Sequence, residues 1–221
     1  SRRYSDKESH YSELSEIKTR LKVLMTITRE LSSYVTNFEN QVVVDWEKQS
    51  ELHFYNLEGK SFAKSFQIEI DYQFSENINF KSAYKNYDVK KQYNSGLKQN
   101  PLTPKNRFFF NLDVSTNLND KGANWKYDFT YNWVGKQRLP LHTSLSFLNG
   151  YSPSYSLINT QLTRVFSKKL EIYIGGENMG NYTQENPILG SGNPYGLDFD
   201  SSIIYAPIHG SLVYLGLRFK L

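Results

Sequence analysis

Hydrophobic and polar residues alternate with period two over most of this chain, most cleanly at its end. Val213, Leu215, Leu217, Phe219 and Leu221 occupy one parity, and Tyr214, Gly216, Arg218 and Lys220 the other. Side chains of a strand point alternately to its two faces, so this stretch predicts a strand with one apolar and one charged face. The same pattern recurs upstream. Phe66, Ile68, Ile70, Tyr72 and Phe74 alternate with Gln67, Glu69, Asp71 and Gln73, and Ile78, Phe80, Ser82 and Tyr84 open the next strand. Phe108, Phe110, Leu112 and Val114 follow, then Trp125, Tyr127, Phe129, Tyr131 and Trp133, then Ile158, Thr160 and Leu162, then Leu170, Ile172 and Ile174. Residues 35–47, with Val42-Val43-Val44, read as a further strand. Residues 1–34 stand apart as an unassigned segment. Leu14, Ile17, Leu21, Leu24 and Leu31 have helical spacing, which predicts a helix over 10–22, whereas Val23, Met25 and Ile27 also alternate and leave 23–34 open.

These strands suit the edge of a soluble sandwich or the wall of a membrane barrel, and two regularities favour the barrel. The apolar rows named above carry no charge, while the opposite rows hold Glu69, Asp71, Asp113, Lys126, Asp128, Glu171, Glu177, Arg218 and Lys220. A lipid-facing charge at mid-membrane costs roughly 2–4 kcal/mol, so a barrel must keep that row clean. The links also alternate: short at 75–77, long at 91–106, short at 118–123, long at 136–153, short at 167–169 and long at 181–209. Outer-membrane barrels join their strands by short turns on one side and long loops on the other. The expected fold is all-β, an up-and-down antiparallel meander of about eight transmembrane strands over 35–221.

Composition narrows the chemistry. The 221 residues hold no cysteine, which excludes disulfides and thiolate sites, and the net charge of +4 is spread without a basic block, so no nucleic-acid partner is expected. Aromatic residues reach 15%, with tyrosine commonest, as the interfacial girdles of a barrel require. No run of 18 apolar residues predicts a spanning helix. Ser1-Arg2-Arg3 is not followed by a secretory apolar stretch, and the chain reads as a fragment. His10, His53, His142 and His209 are scattered, and no metal-ligand or nucleophile motif is found, so neither metal, cofactor nor enzymatic activity is expected.

The segment Ile174-Gly175-Gly176-Glu177-Asn178-Met179-Gly180-Asn181-Tyr182, followed by Asn186-Pro187-Ile188, resembles the penultimate strand of TonB-dependent outer-membrane receptors of Bacteroidetes type. Phe38-Glu39-Asn40-Gln41-Val42-Val43-Val44-Asp45, Tyr55-Asn56 with Gly59-Lys60-Ser61, Pro104-Lys105-Asn106-Arg107 and the terminal strand fall in that family's order. The terminal strand also resembles a barrel assembly signal, at Tyr214, Gly216, Phe219 and Leu221. The resemblance implies an outer-membrane location and part of a 22-stranded barrel. It also implies a plug and remaining strands outside this sequence, lipid, the TonB complex and the barrel assembly machinery as partners, and energised uptake of a scarce nutrient such as a ferric siderophore. Glu69, Asp71, Lys126, Asp128, Glu171 and Glu177 then face the lumen and the plug. Tyr93, Arg138, His142, Tyr151, Tyr155, Tyr182, Tyr195 and Phe199 are the candidate ligand contacts on outer loops, since aromatic and cationic groups stack on or pair with an anionic chelate. The alternative is a free-standing eight-stranded barrel with a structural or adhesive role.

Overall fold

The computed structural model describes residues 19–23, 27–39, 41–47, 51–56, 58–120 and 122–220. Its strands are β1 (Thr19–Val23), β2 (Ile27–Phe38), β3 (Val42–Asp45), β4 (His53–Asn56), β5 (Ser61–Ser75) and β6 (Ile78–Tyr93). They continue as β7 (Gly96–Gln99), β8 (Asn106–Ser115), β9 (Asn124–Val134), β10 (Tyr155–Val165), β11 (Leu170–Glu177) and β12 (Leu212–Phe219). The main sheet runs β1-β2-β5-β6-β8-β9-β10-β11-β12, every neighbour antiparallel, with β7 pairing the end of β6. Among the described residues no pairing joins β1 to β12, so the sheet is an open arc. The expected all-β meander is present, with nine strands in line where about eight were expected.

Three local readings change. β1 covers the last four positions of the helix expected over 10–22, while 10–18 lie outside the described residues. β2 begins at Ile27, within the segment left unassigned, because its whole length pairs with β5. The expected strand over 35–47 is two elements. β2 ends at Phe38, and Val42–Asp45 pairs instead with His53–Asn56 in a separate two-stranded hairpin.

Link parity extends through the sheet. Links 76–77, 116–123 and 166–169 are short, and 39–60, 94–105, 135–154 and 178–211 are long. The long links lie at one end of the strands and the short ones at the other, as antiparallel pairing demands.

Register fixes the faces. Ile70 pairs Ser82, Ser82 pairs Phe110, Phe110 pairs Tyr131 and Tyr131 pairs Ile158, so these side chains share one face. On that face the five alternate positions within each of 66–74, 78–86 and 125–133 carry no charge, and each stretch spans nine residues, close to the 9–11 of a tilted spanning strand. The face is bare: on β12, Val213, Leu215, Leu217 and Phe219 are each 59–76% exposed. Most of its charges lie toward strand ends. Arg164 adjoins a short link, Arg29 stands two residues into β2 and directly opposite Ile70, and Lys64, Asp88 and Lys90 lie toward the long links.

Candidate functional site: the polar face and its long-loop rim

The opposite face is polar and concave. A cavity of about 480 Å³ is lined across β6 to β12 by residues that include Asn79, Asp113, Lys126, Asp128, Gln161, Glu171, Tyr214 and Arg218. All six residues expected on this face share its parity: Glu69, Asp71, Lys126, Asp128, Glu171 and Glu177. Asp71 pairs with Lys81 at 3.3 Å, and Glu171 with Arg218 at 2.9 Å and Lys220 at 3.7 Å. Asn111 Nδ2 donates to Asp128 Oδ2 at 2.9 Å, and Gln67 Nε2 donates to Glu69. Glu177 ends β11 at the long-loop side.

Gly216 and Gly175 belong to this face for a steric reason. The Tyr173 ring lies over Gly216 and the Tyr214 ring over Gly175, where a Cβ would collide with the phenol. The two rings meet edge-on at 6.2 Å, and the Tyr214 hydroxyl donates to Gln161 Oε1 at 3.1 Å. Tyr214 and Gly216 are thus interlocked with β11, Phe219 is on the bare face, and Leu221 lies outside the described residues.

Asn178, immediately after β11, adopts a left-handed conformation (φ 49°), which asparagine tolerates better than most side chains. Its Nδ2 donates to the carbonyls of Tyr182 (2.8 Å) and His209 (3.2 Å), and its Oδ1 accepts from Tyr182 N at 3.1 Å. Ser211 Oγ donates to Asn178 O at 2.7 Å, while Asn181 Oδ1 accepts from Ser211 N at 3.0 Å. One side chain therefore pins both ends of loop 178–211. The Gly-x-Glu-Asn segment acts as the clasp of the longest loop.

Above the strands, loops 135–154 and 178–211 share a core of Leu139, Leu145, Leu189, Ile203, Tyr205 and Ala206. Gln184 holds it from within: its Oε1 accepts from Tyr205 N (2.8 Å) and Ala206 N (3.2 Å), and its Nε2 donates to Ile203 O (2.8 Å). Gln137 Nε2 donates to Tyr205 O at 2.8 Å. Burial, then Tyr182 and Glu185, push the Tyr205 hydroxyl above its ordinary value of 10.0, and burial and Glu185 do the same to Tyr182. The unfolded cap releases these protons near pH 10 and the folded cap retains them. Cap stability is therefore complete below pH 10 and declines as pH climbs toward the raised folded values. An alkaline titration followed by tyrosine difference absorbance is expected to show these two phenols ionising late, together with protease sensitivity of 178–211.

The candidate ligand contacts do not gather into one site. Tyr93 (2% exposed), Arg138 and His142 are buried in loop packing. Arg138 pairs with Glu47, and the imidazole Nδ1 of His142 accepts from Ser144 N at 3.1 Å at the start of the 3₁₀ turn Thr143–Leu148. Tyr182 stacks on Tyr155, with centroids 5.1 Å apart. Tyr151, Tyr195 and Phe199 are exposed.

What the structure does assemble is a smaller cavity of about 270 Å³ on the polar face, beneath loop 94–105. Lys85, Tyr87, Leu102, Thr103, Pro104 and Arg107 line it. Lys85 and Arg107 are register partners, and the Lys85 ammonium lies 5.3 Å from the Tyr87 ring centre. No carboxylate is among these lining residues. Two cations, a phenol and an apolar lip suit an anionic ligand with a partly apolar body. Strand parity alone places Lys85 and Arg107 on this face, but the sequence does not reveal that their register brings them opposite one another.

Neither the family models nor the curated proteins gave a match. Solved structures did. The ferric-catecholate import receptor Fiu of E. coli K12 superposes with a TM-score of 0.61 at 14% identity, over 92% of this chain and 27% of that one. BauA, the ferric preacinetobactin receptor of Acinetobacter baumannii, gives 0.63 at 12% identity over 92% and 28%. The ferripyoverdine receptor of the outer membrane of Pseudomonas aeruginosa gives 0.62 at 13% identity over 92% and 26%. The chain thus spans about a quarter of each receptor's length. At these identities the likeness shows the fold alone: an antiparallel strand meander held in common with part of each of these receptors.

Proposed function

We propose that this chain forms part of the barrel wall of a TonB-dependent outer-membrane receptor, serving energised uptake of a scarce, bulky nutrient of the ferric-siderophore class. The observation that carries this reading is the bare apolar face. A row such as Val213, Leu215, Leu217 and Phe219, uncovered along the whole strand, is matched by hydrocarbon and not by water. Among the described residues no helix is long and apolar enough to cross a membrane. The polar concave face then lines a lumen, where the remaining strands and a plug complete the protein. The TonB complex and the barrel assembly machinery are the expected partners. The long loops face outward, and the Lys85–Arg107 cavity beneath them meets an incoming anionic chelate.

The test is binding of a ferric catecholate complex to the purified receptor, followed by titration. Lys85→Glu and Arg107→Glu each remove a charge-assisted contact, and a loss of about tenfold or more in affinity is expected from each. Unchanged or tighter binding in the doubly reversed variant would end the anionic-ligand reading.

A further inference from the structure

Arg164 is a cation on the apolar face, close to the short links. It is the penultimate residue of β10 and pairs in register with Trp125 of β9. Its guanidinium lies 5.0 Å from the Trp125 ring and 5.6 Å from the Phe166 ring, both of them outward and exposed. The nearest acidic residue along the chain, Glu171, has the opposite parity and is taken by Arg218 and Lys220. Lys168 and Lys169 are exposed in the turn that follows. A charge on a lipid-facing row is tolerated where the hydrocarbon ends, and there it meets headgroups. Arginine is the side chain suited to phosphate: its planar fork donates in pairs while its faces stack on aromatic rings.

We infer that Arg164, clamped between Trp125 and Phe166 and supported by Lys168 and Lys169, is a binding site for the phosphate of an anionic phospholipid in the leaflet facing the short turns. The two rings hold the guanidinium at the hydrocarbon boundary. Its outward donors are left for the lipid phosphate, and the two lysines add attraction from the aqueous side. Tryptophan and phenylalanine beside it give the upper acyl carbons an apolar wall.

The inference rests on the membrane reading, and the experiment separates the two. The complete receptor is reconstituted in lipid nanodiscs, and retained lipid is counted by native mass spectrometry after extraction. Phosphatidylglycerol is compared with phosphatidylcholine and with inorganic phosphate. The wild type is expected to keep phosphatidylglycerol in preference to phosphatidylcholine. Retention is expected to fall about fivefold in Arg164→Gln, and by a similar factor for each lysine lost in Lys168→Gln and Lys169→Gln, since a basic residue at an anionic membrane surface contributes on the order of that factor. Arg164→Lys keeps the charge but loses the paired donors, and is expected to lie between wild type and Arg164→Gln. Equal retention of the two lipids, or no change in Arg164→Gln and in the lysine variants, overturns the site while leaving the membrane reading intact. Displacement of the bound lipid by millimolar inorganic phosphate also overturns it, as a simple ion site. Failure of the wild type to enter the nanodisc at all overturns both.

Discussion

Ile70→Lys is expected to stop this protein assembling into a bilayer, whereas Glu69→Lys, one residue away, is expected to leave assembly intact. Ile70 is the middle member of the uncharged row Phe66, Ile68, Ile70, Tyr72 and Phe74, level with Ser82, Phe110 and Tyr131, and its partner on β2 is the cation Arg29. An ammonium placed there faces hydrocarbon and the like charge of Arg29, and the first of these alone costs roughly 2–4 kcal/mol. That is a large part of the roughly 5–15 kcal/mol by which a folded domain typically exceeds its unfolded state. Glu69 points to the polar face, where it accepts from Gln67 and stands directly opposite Glu30 of β2. Directly opposed like charges oppose pairing, so lysine at 69 is expected to be neutral or to stabilise by about 0.2–1 kcal/mol. The measurement is the fraction of heat-modifiable, membrane-inserted protein for each variant. Normal insertion of Ile70→Lys with loss of Glu69→Lys would reverse the two faces.

The parts legible in the sequence are those governed by neighbours two residues apart or by a single turn. Period-two alternation identified β5, β6 and β8 to β12 and the face their residues occupy, because that pattern is a local consequence of the pleat, whereas β7 lies inside the link read as a loop over 91–106. The glycine at 216 and the asparagine at 178 stood out in the sequence, and each proved to have a local steric or hydrogen-bonding cause. The first strands were harder to read. In residues 10–34, leucines at helical spacing compete with alternating Val23, Met25 and Ile27, and over the described residues 19–23 and 27–34 the pairing of β1 with β2 and of β2 with β5 decides for strand. The outward charge Arg164 was not legible in the sequence, because strand ends, where a charge is tolerated, are not visible until the register is known. Loop residues were the least legible. The family resemblance, with their place in long links, pointed to Tyr93, Arg138 and His142 as ligand contacts, but exposure depends on how four long loops fold together, and these three are inside. Glu47 and Arg138 are 91 residues apart in sequence, and nothing local to either announces the other.

That pair is where the loops should prove most fragile. Glu47 leaves β3 on loop 39–60, and Arg138 sits in loop 135–154. Arg138 Nη2 lies 2.6 Å from Glu47 Oε1, and Nη1 donates to Oε2 at 2.9 Å, with both side chains only 9–10% exposed. Lys98 of β7 adds a third contact, Nζ to Oε2 at 3.2 Å, and the Arg138 guanidinium packs over Tyr93 at 5.5 Å. Breaking a buried pair by removing one partner costs about 3–5 kcal/mol, because the other charge is left without water or counter-ion. The two deletions should differ. Arg138→Ala leaves Glu47 its lysine, whereas Glu47→Ala leaves Arg138 and Lys98 both unneutralised, so Glu47→Ala is expected to be the more damaging. The double substitution Glu47→Leu with Arg138→Met should recover much of the loss, as apolar substitutes for buried pairs commonly do. Hydrogen exchange across 39–60, 94–105 and 135–154 is the measurement: protection should fall there in the single variants and return in the double one. Strands β8 to β12 should keep theirs, since a loop latch opens locally without unzipping the wall. In about 1 M salt the latch should hold, while the more exposed Glu171–Arg218 pair (Arg218 side chain 58% exposed) should weaken, because ions screen charges they can reach. Loss of protection spread evenly over all strands would mean that Glu47 and Arg138 support the wall and do not fasten the loops above it.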